Sequence, residues 1–229
     1  MERHREQDLL RIRQRLLEMG GIVEEMVGNA MRALLERDPD LAEDTIARDR
    51  EVDALEKGID DDCLRLLATQ QPMAVDLRFL YAAMKIITDL ERMGDSAKNI
   101  ARASLAIQGQ APVPGAENLP RLSQLARQMI HDSLDAFVDR NPDFAREVHG
   151  RDDEIDTLYE ETFTKLLAGT LEQPQRTTTA LHLQLVALNL ERVADHATNI
   201  CEDVIYFVEA TDIRHAHTRY GAGGGSHER

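Results

Sequence analysis

The second half of the chain repeats the first, and this duplication constrains the fold more than any other feature of the sequence. Residues 140–156 match residues 37–53 at eight of seventeen positions, and residues 190–200 match residues 90–100 at seven of eleven. Self-similarity of this extent indicates one supersecondary unit that was duplicated and that packs against its copy. We therefore expect two related halves.

Each half is predicted to contain three helices. Aromatic residues make up only 4% of the chain, and long stretches rich in Leu, Ala, Glu and Arg favour helices over strands. Pro39, Pro72, Pro142 and Pro174 mark breaks, because proline ends or begins a helix. A glycine pair, Gly20-Gly21, is predicted to kink the first helix. The predicted helices cover residues 8–37, 40–69, 76–108, 119–140, 143–169 and 176–210.

The expected fold is all-α, with two tandem three-helix bundles related by an internal pseudo-twofold duplication. Residues 1–109 form the first repeat and residues 119–213 the second. Residues 110–118, rich in Pro and Gly, are predicted to be the linker between them. Residues 214–229 are polar and Gly-rich, which is typical of a disordered tail with solvent-exposed His215, His217 and His227.

The charge balance excludes some classes of partner. With 42 acidic residues against 27 Lys and Arg, the net charge of −15 argues against nucleic-acid binding. It suits a cation or a basic partner, and it equally serves solubility alone. Two cysteines, Cys63 and Cys201, are too few for a disulfide framework and are predicted to be small buried residues. No signal peptide or membrane span is evident, so we expect a cytoplasmic protein.

The duplication separates a few acidic residues from the many that serve only as surface. Two acidic pairs recur on the second helix of each half and two on the third, each with the spacing E/D-x-x-x-D. Residues four apart share one face of a helix, where like charges repel. The acids are Asp49, Asp53, Glu91 and Asp95 in the first half, matched by Asp152, Asp156, Glu191 and Asp195 in the second.

Four such carboxylates converge if the second and third helices of a half pack together. Two like charges about 4 Å apart repel by about 4 kcal/mol at an effective dielectric constant near 20. Helical bundles hold iron or manganese with carboxylates from facing helices, so a metal site is the predicted use. The alternative is a solvated surface on which Arg92 and Arg192 pair with the acids.

Asn99 and Asn199 follow Asp95 and Asp195 by four residues. They are predicted to be further ligands or hydrogen-bond partners of the acids. Glu51 and Glu154 also recur, but they point to another side of the helix and are interpreted as surface.

No nucleophile with a matched base and no phosphate-binding loop is found. A di-iron enzyme would need Glu-x-x-His on two helices, and no histidine has Glu three residues before it. We therefore expect no catalytic activity and no catalytic residues.

The segment DLRFLYAAMKIITDLERMGDSAKNIA at 76–101 resembles the third-helix signature of the PhoU family, the accessory and regulatory proteins of phosphate-specific transport. LNLERVADHATNI at 188–200 resembles the same signature in the family's second repeat, although RTT at 176–178 replaces the DLR of 76–78. The resemblance covers residues 8–210. It implies two three-helix bundles carrying multinuclear iron or zinc clusters, one on each set of four acids.

The resemblance also implies the function and the partners. A PhoU-type protein is an adaptor between the PstSCAB phosphate transporter, through its ATPase subunit PstB, and the sensor kinase PhoR. It represses the phosphate-starvation response when phosphate is plentiful. A homodimer is expected, with membrane contact only through the partners. A helical accessory protein of a different transporter is the alternative.

Overall fold

The computed structural model of the chain describes residues 2–211 and 213 and confirms the all-α fold, with no strand in that part of the chain. The helices are α1 (Glu2–Glu36), α2 (Pro39–Gln70), α3 (Ala74–Ala106), α4 (Leu119–Asp139), α5 (Pro142–His149), α6 (Asp152–Glu172) and α7 (Thr177–Glu209). A single 3-10 turn, Pro174–Arg176, precedes α7. None of the helices formed by the described residues is long and apolar enough to cross a membrane.

The prolines that recur in the two halves, Pro39 and Pro142, each lie in the first turn of a helix. The side chain of Asp38 accepts a hydrogen bond from the backbone N–H of Leu41 at 3.0 Å, and Pro39 occupies the first turn of α2. Asn141 caps α5 in the same way, accepting from Phe144 N–H at 3.1 Å. Both residue types are favoured N-caps, and proline is tolerated in the first turn because its missing N–H has no helical partner there.

The prediction of one continuous helix over 143–169 is wrong, because the chain breaks it at Gly150 and Arg151 into α5 and α6. Gly150 is a poor helix former where the first half has Ala47. Arg151 is held by ion pairs to Asp132 of α4 and, at 2.9 Å, to Glu147. As a result α6 begins at Asp152, whereas the equivalent Asp49 lies inside α2.

Helices α3 and α7 form the centre of the molecule and share its largest interhelical interface. Helices α1 and α2 pack on α3, while α4, α5 and α6 pack on α7. Phe79, Phe137 and Phe207 join α3, α4 and α7, with ring centroids 5.5–5.8 Å apart. The two halves therefore share one continuous apolar core.

Helix α1 continues through the predicted kink site, because its helical hydrogen bonding runs from Glu2 to Glu36. Gly20 lies against α4, where a β-carbon would come within 2.1 Å of Leu134 Cδ1. Its neighbour Gly21 faces open space. The first glycine thus allows a close contact between α1 and α4.

The two thiols are buried as predicted, and burial raises the pKa of both Cys63 and Cys201 to about 12. Both are therefore protonated and unreactive in the folded chain. The predicted tail, with His215, His217 and His227, lies outside the described residues.

Candidate carboxylate sites

The eight acids selected by the duplication lie on two pairs of packed helices. We call Asp49, Asp53, Glu91 and Asp95 the first quartet, which spans α2 and α3. We call Asp152, Asp156, Glu191 and Asp195 the second quartet, which spans α6 and α7. Because α2 packs on α3 and α6 packs on α7, each quartet lies along one helix–helix seam.

In the first quartet, Glu91 is the acid whose pKa is raised by its surroundings. Partial burial raises the pKa of the Glu91 carboxyl, and the charges of Asp95, Glu56 and Asp53 raise it further. Arg92 opposes this shift, with its Nε 3.5 Å from Glu91 Oε2. The carboxylates of both helices therefore repel one another at the seam.

Lys98 supplies a positive charge within the first quartet. Its Nζ lies 2.6 Å from Asp49 Oδ2 and 2.5 Å from Asp95 Oδ1, so it bridges α2 and α3. The side chain is only 17% exposed. Hydrogen bonds to the two aspartates raise the pKa of the Lys98 ammonium against the opposing effect of burial. The ammonium is therefore charged at neutral pH.

Comparing the sequences of the two halves did not identify two residues of this site. Lys98 corresponds to Thr198, and Glu56 corresponds to Tyr159, so neither recurs in the second half. Glu56 belongs to the site because burial, together with Asp53 and Asp60, raises the pKa of its carboxyl. The signal for Lys98 was present in the sequence as a basic residue one helical turn after Asp95.

The second quartet is the stronger electrostatic cluster. Burial raises the pKa of Asp152 to about 7, and the charges of Asp195, Asp156 and Glu191 raise it as well. Burial also raises the pKa of Glu191, with Asp195 and Asp156 adding to the shift. For Asp195, burial and the charge of Asp156 act in the same direction. All four acids therefore interact directly.

The second quartet also contains an unsatisfied oxygen. Asp152 Oδ1 is buried and has no hydrogen-bond partner among the residues that the structure describes. Thr198, which stands where Lys98 stands in the first half, donates its hydroxyl to the backbone oxygen of Asp195 at 2.6 Å. A buried carboxylate oxygen without a donor is a ready ligand for a cation, since the cation restores the interactions lost with water.

The donor set fits a hard or borderline divalent or trivalent cation, since every member is a carboxylate. The second quartet is also accessible, because Asp156 and Asp195 are exposed. Among the described residues, no three His, Cys, Asp and Glu side chains are already gathered around one point as the ligands of an ion. Binding at either quartet therefore requires its side chains to rotate toward a shared ion.

The two asparagines occupy the interface between the halves. Asn99 donates to Asn189 Oδ1 at 3.5 Å, and Asn199 donates to Asp89 Oδ1 at 3.3 Å. These contacts join α3 to α7 in a pseudo-twofold arrangement. They give no support to the prediction that either asparagine is a ligand or a hydrogen-bond partner of a quartet.

The acids interpreted as surface behave as expected. Glu51 and Glu154 are exposed, and both make ion pairs with neighbouring arginines, Arg48 at 3.8 Å and Arg121 at 3.0 Å. Neither takes part in the electrostatic clusters of the quartets.

Comparison with known proteins agrees with this architecture. The PhoU domain family matches residues 16–104 and again residues 119–204, once in each half. A phosphate-specific transport system accessory protein PhoU homolog from Rhizobium meliloti is 38% identical over 202 residues, which cover 88% of this chain and 85% of that protein. The accessory protein PhoU of Escherichia coli K12 is 36% identical over 208 residues, covering 91% and 86%.

Solved structures extend the similarity to the whole fold. The crystal structure of PhoU from Pseudomonas aeruginosa superposes with a TM-score of 0.87 at 34% identity, covering 90% of this chain and 99% of that one. The phosphate transport system regulatory protein PhoU from Streptococcus pneumoniae gives 0.85 at 29% identity, covering 91% and 98%. With two matched repeats, a shared fold and relatives aligned over most of their length, this chain belongs to the PhoU family of phosphate transport accessory proteins.

Proposed function

We propose that this chain is a negative regulator of phosphate uptake and phosphate-starvation signalling, without catalytic activity of its own. It acts as an adaptor between a PstSCAB-type transporter, through PstB, and a PhoR-type histidine kinase. The observation that carries this proposal is the match of both repeats to the PhoU family. The relatives' names, which give an accessory protein of phosphate-specific transport and a regulatory protein, support the same role.

An adaptor needs exposed surface that partners can bind, and helix α6 offers one. Phe163, Leu167 and Leu171 follow one another at four-residue spacing and are 41%, 49% and 79% exposed. Large apolar side chains grouped on one face are typical of protein–protein contact sites. This apolar face supports docking to a partner protein.

The quartets support metal binding as part of this function. We assign the first quartet (Asp49, Asp53, Glu91, Asp95) and the second quartet (Asp152, Asp156, Glu191, Asp195) as sites for iron or zinc, each able to hold a multinuclear cluster. Such a cation would neutralise the repelling carboxylates and tie α2 to α3 or α6 to α7. The chain's own residues supply the oxygen ligands, with the unsatisfied Asp152 Oδ1 as the foremost donor.

Deletion of the gene tests the regulatory role. We expect phosphate-starvation genes to become active in high phosphate and to be silenced again by the wild-type gene. Starvation genes that stay silent in the deletion strain would contradict the assignment. A deletion that instead disturbs the uptake of another solute would favour an accessory role with a different transporter.

Variants on the apolar face test the adaptor mechanism. Leu167→Glu with Leu171→Glu should abolish silencing in high phosphate and weaken co-purification with PstB or PhoR. Glu160→Lys with Glu161→Lys, which changes the charge of the same helix, is the control for a general charge effect. Full silencing by the leucine variant would remove α6 as a docking surface.

Metal analysis of the purified protein tests the quartets. We expect iron or zinc that remains bound through gel filtration, that falls in Glu191→Ala, and that is lost when Glu191→Ala is combined with Glu91→Ala and Asp95→Ala. A metal content near zero that the variants do not change would refute metal binding.

A further inference from the structure

The two quartets are equivalent in sequence but differ in one position that the duplication does not preserve. In the first, the Lys98 ammonium bridges Asp49 and Asp95 at 2.6 and 2.5 Å. In the second, the equivalent Thr198 donates to the backbone oxygen of Asp195 in its own helix. Within the part of the chain that the structure describes, Asp152, Asp156 and Asp195 make no ion pair with a Lys or Arg side chain. The surrounding frame L-E-R-x-x-D-x-A-x-N-I is the same in both halves.

We propose that the two quartets bind cations with unequal affinity, because Lys98 serves as a built-in counterion for the first quartet. The second quartet is the one that takes up a metal ion first. This inference rests on the proposed metal binding, and it concerns the order in which the sites fill.

Competition for the same oxygens gives the physical reason. A cation that enters the first quartet either competes with the Lys98 ammonium for Asp49 Oδ2 and Asp95 Oδ1 or binds the other oxygen of each carboxylate beside it. It must also accept a positive charge as its neighbour. In the second quartet the charge of Arg192 reaches Glu191 and Asp195, as that of Arg92 reaches Glu91 in the first. However, no cation of the described residues bridges the carboxylates of the two helices there, and Asp152 Oδ1 is unpartnered. Binding a cation with the same set of ligands therefore costs less free energy in the second quartet.

The position of Asp152 adds to the difference in cation affinity between the two quartets. It lies in the first turn of α6, where Asp49 lies inside α2, because the helix is interrupted at Gly150 and Arg151. Its carboxyl is partly buried, and its neighbours Asp156 and Asp195 in the quartet are exposed. An ion can approach the second quartet without displacing any side chain of the described residues from an ion pair.

The test measures Zn²⁺ binding by isothermal titration calorimetry on the full chain after chelator treatment. Glu91→Gln and Glu191→Gln are equivalent changes that locate the occupied quartet. For the wild-type chain we expect Glu191→Gln to weaken the tightest binding roughly 10- to 100-fold, the range typical of changes around metal ligands. Glu91→Gln should leave that tightest binding unchanged.

Lys98 itself is then replaced. Lys98→Met keeps the length of the side chain and removes its charge, so it should raise the affinity of the first quartet roughly 10-fold or more. Lys98→Arg keeps the charge and should leave the first quartet as weak as in the wild-type chain. Reciprocally, Thr198→Lys should weaken the second quartet, while Thr198→Val, which removes only the hydroxyl, should not.

The possible results separate this inference from the function on which it rests. Equal loss of affinity in Glu91→Gln and Glu191→Gln, or no gain in a folded Lys98→Met, would overturn the inequality and leave metal binding intact. An absence of Zn²⁺ binding in both the wild-type chain and Lys98→Met would overturn both. Circular dichroism checks the folding of each variant. If Thr198→Lys does not fold, the Lys98 variants alone decide whether Lys98 makes the two quartets unequal.

Discussion

Nδ1 of His196 lies 2.8 Å from Oδ1 of Asp89, and this contact joins α7 to α3 at the interface between the two halves. The side chains are 25% and 14% exposed, so the pair is only partly screened by water. We predict that His196→Ala lowers the free energy of unfolding by about 1 kcal/mol, the usual contribution of such a bond. Urea unfolding followed by circular dichroism measures the loss.

His131→Ala is the matched control for this prediction. His131 is 57% exposed and lies 3.5 Å from both Glu24 and Asp135, so these are weak surface contacts. We expect its replacement to change the stability by less than about 0.5 kcal/mol. Similar losses for both histidines would mean that the His196–Asp89 contact contributes nothing specific to the interface.

The glycine pair in α1 predicts opposite effects for the same substitution at neighbouring positions. A β-carbon on Gly20 would come within 2.1 Å of Leu134 Cδ1, which is buried, so Gly20→Ala should destabilise the chain by about 1–3 kcal/mol. Gly21 has open space around it, and Gly21→Ala should stabilise the helix by about 0.5–1 kcal/mol. Thermal unfolding compares the two variants, and a gain from both would show that α1 and α4 can separate at little cost.

The sequence predicted the helices well where the signals were local. Asp38-Pro39 and Asn141-Pro142 start α2 and α5, because the N-cap and the first-turn proline act within four residues of each other. The break at Gly150 and Arg151 was missed although Gly150 is a local helix-weakening signal. The ion pair that accompanies the break joins Arg151 to Asp132, nineteen residues away on another helix. No local pattern encodes such a tertiary contact.

The predicted site shows the limits of selecting residues by their recurrence. The filter identified four acids on each seam, but it necessarily discarded Lys98, which occurs in one half only. It also added Asn99 and Asn199 to the acidic face, and their role beside the acids stays a prediction. Each four-residue step along a helix turns the side chain by about 40°, so Asn99, eight residues after Glu91, has rotated by about 80° toward α7. There it meets Asn189.

Asp152 makes the stability of the chelator-treated protein depend on pH. Its pKa is about 7 in the folded chain against an ordinary value of 3.8, so between these values the folded state binds more protons than the unfolded state. The free energy of unfolding therefore falls as pH rises from about 4 to 7. Glu191 and Asp195, whose pKa values are also raised, contribute in the same direction.

Asp152→Asn tests this pH dependence. Because the neutral amide avoids the repulsion, we predict that it stabilises the chelator-treated protein at pH 8 by about 1 kcal/mol, or roughly 2–4 °C in Tm, and has little effect at pH 5. Asp153→Asn, an exposed neighbour outside the quartet, should shift Tm by less at both pH values. A stabilisation of equal size at pH 5 and pH 8 would contradict the role given to the Asp152 charge.

The linker between the halves is packed, and Gly115 is the residue that allows it. Its φ is +103°, and a β-carbon would lie 2.8 Å from the backbone nitrogen of Leu166 and from the carbonyl carbon of Lys165 in α6. Backbone atoms of a helix cannot move aside, so Gly115→Ala combines backbone strain with a clash. We predict a loss of about 2 kcal/mol or more in the free energy of unfolding.

Gly109 provides the comparison within the same connection. Its φ is +72°, but a β-carbon there would meet nothing within 4 Å, so Gly109→Ala has only the conformational cost of about 1 kcal/mol. Urea unfolding of both variants separates strain from packing, because the difference between them measures the contact with α6. If the two variants lose the same stability, the linker does not hold α6 in place; a larger loss for Gly115→Ala means that the linker supports the helix that carries Asp152 and Asp156 of the second quartet.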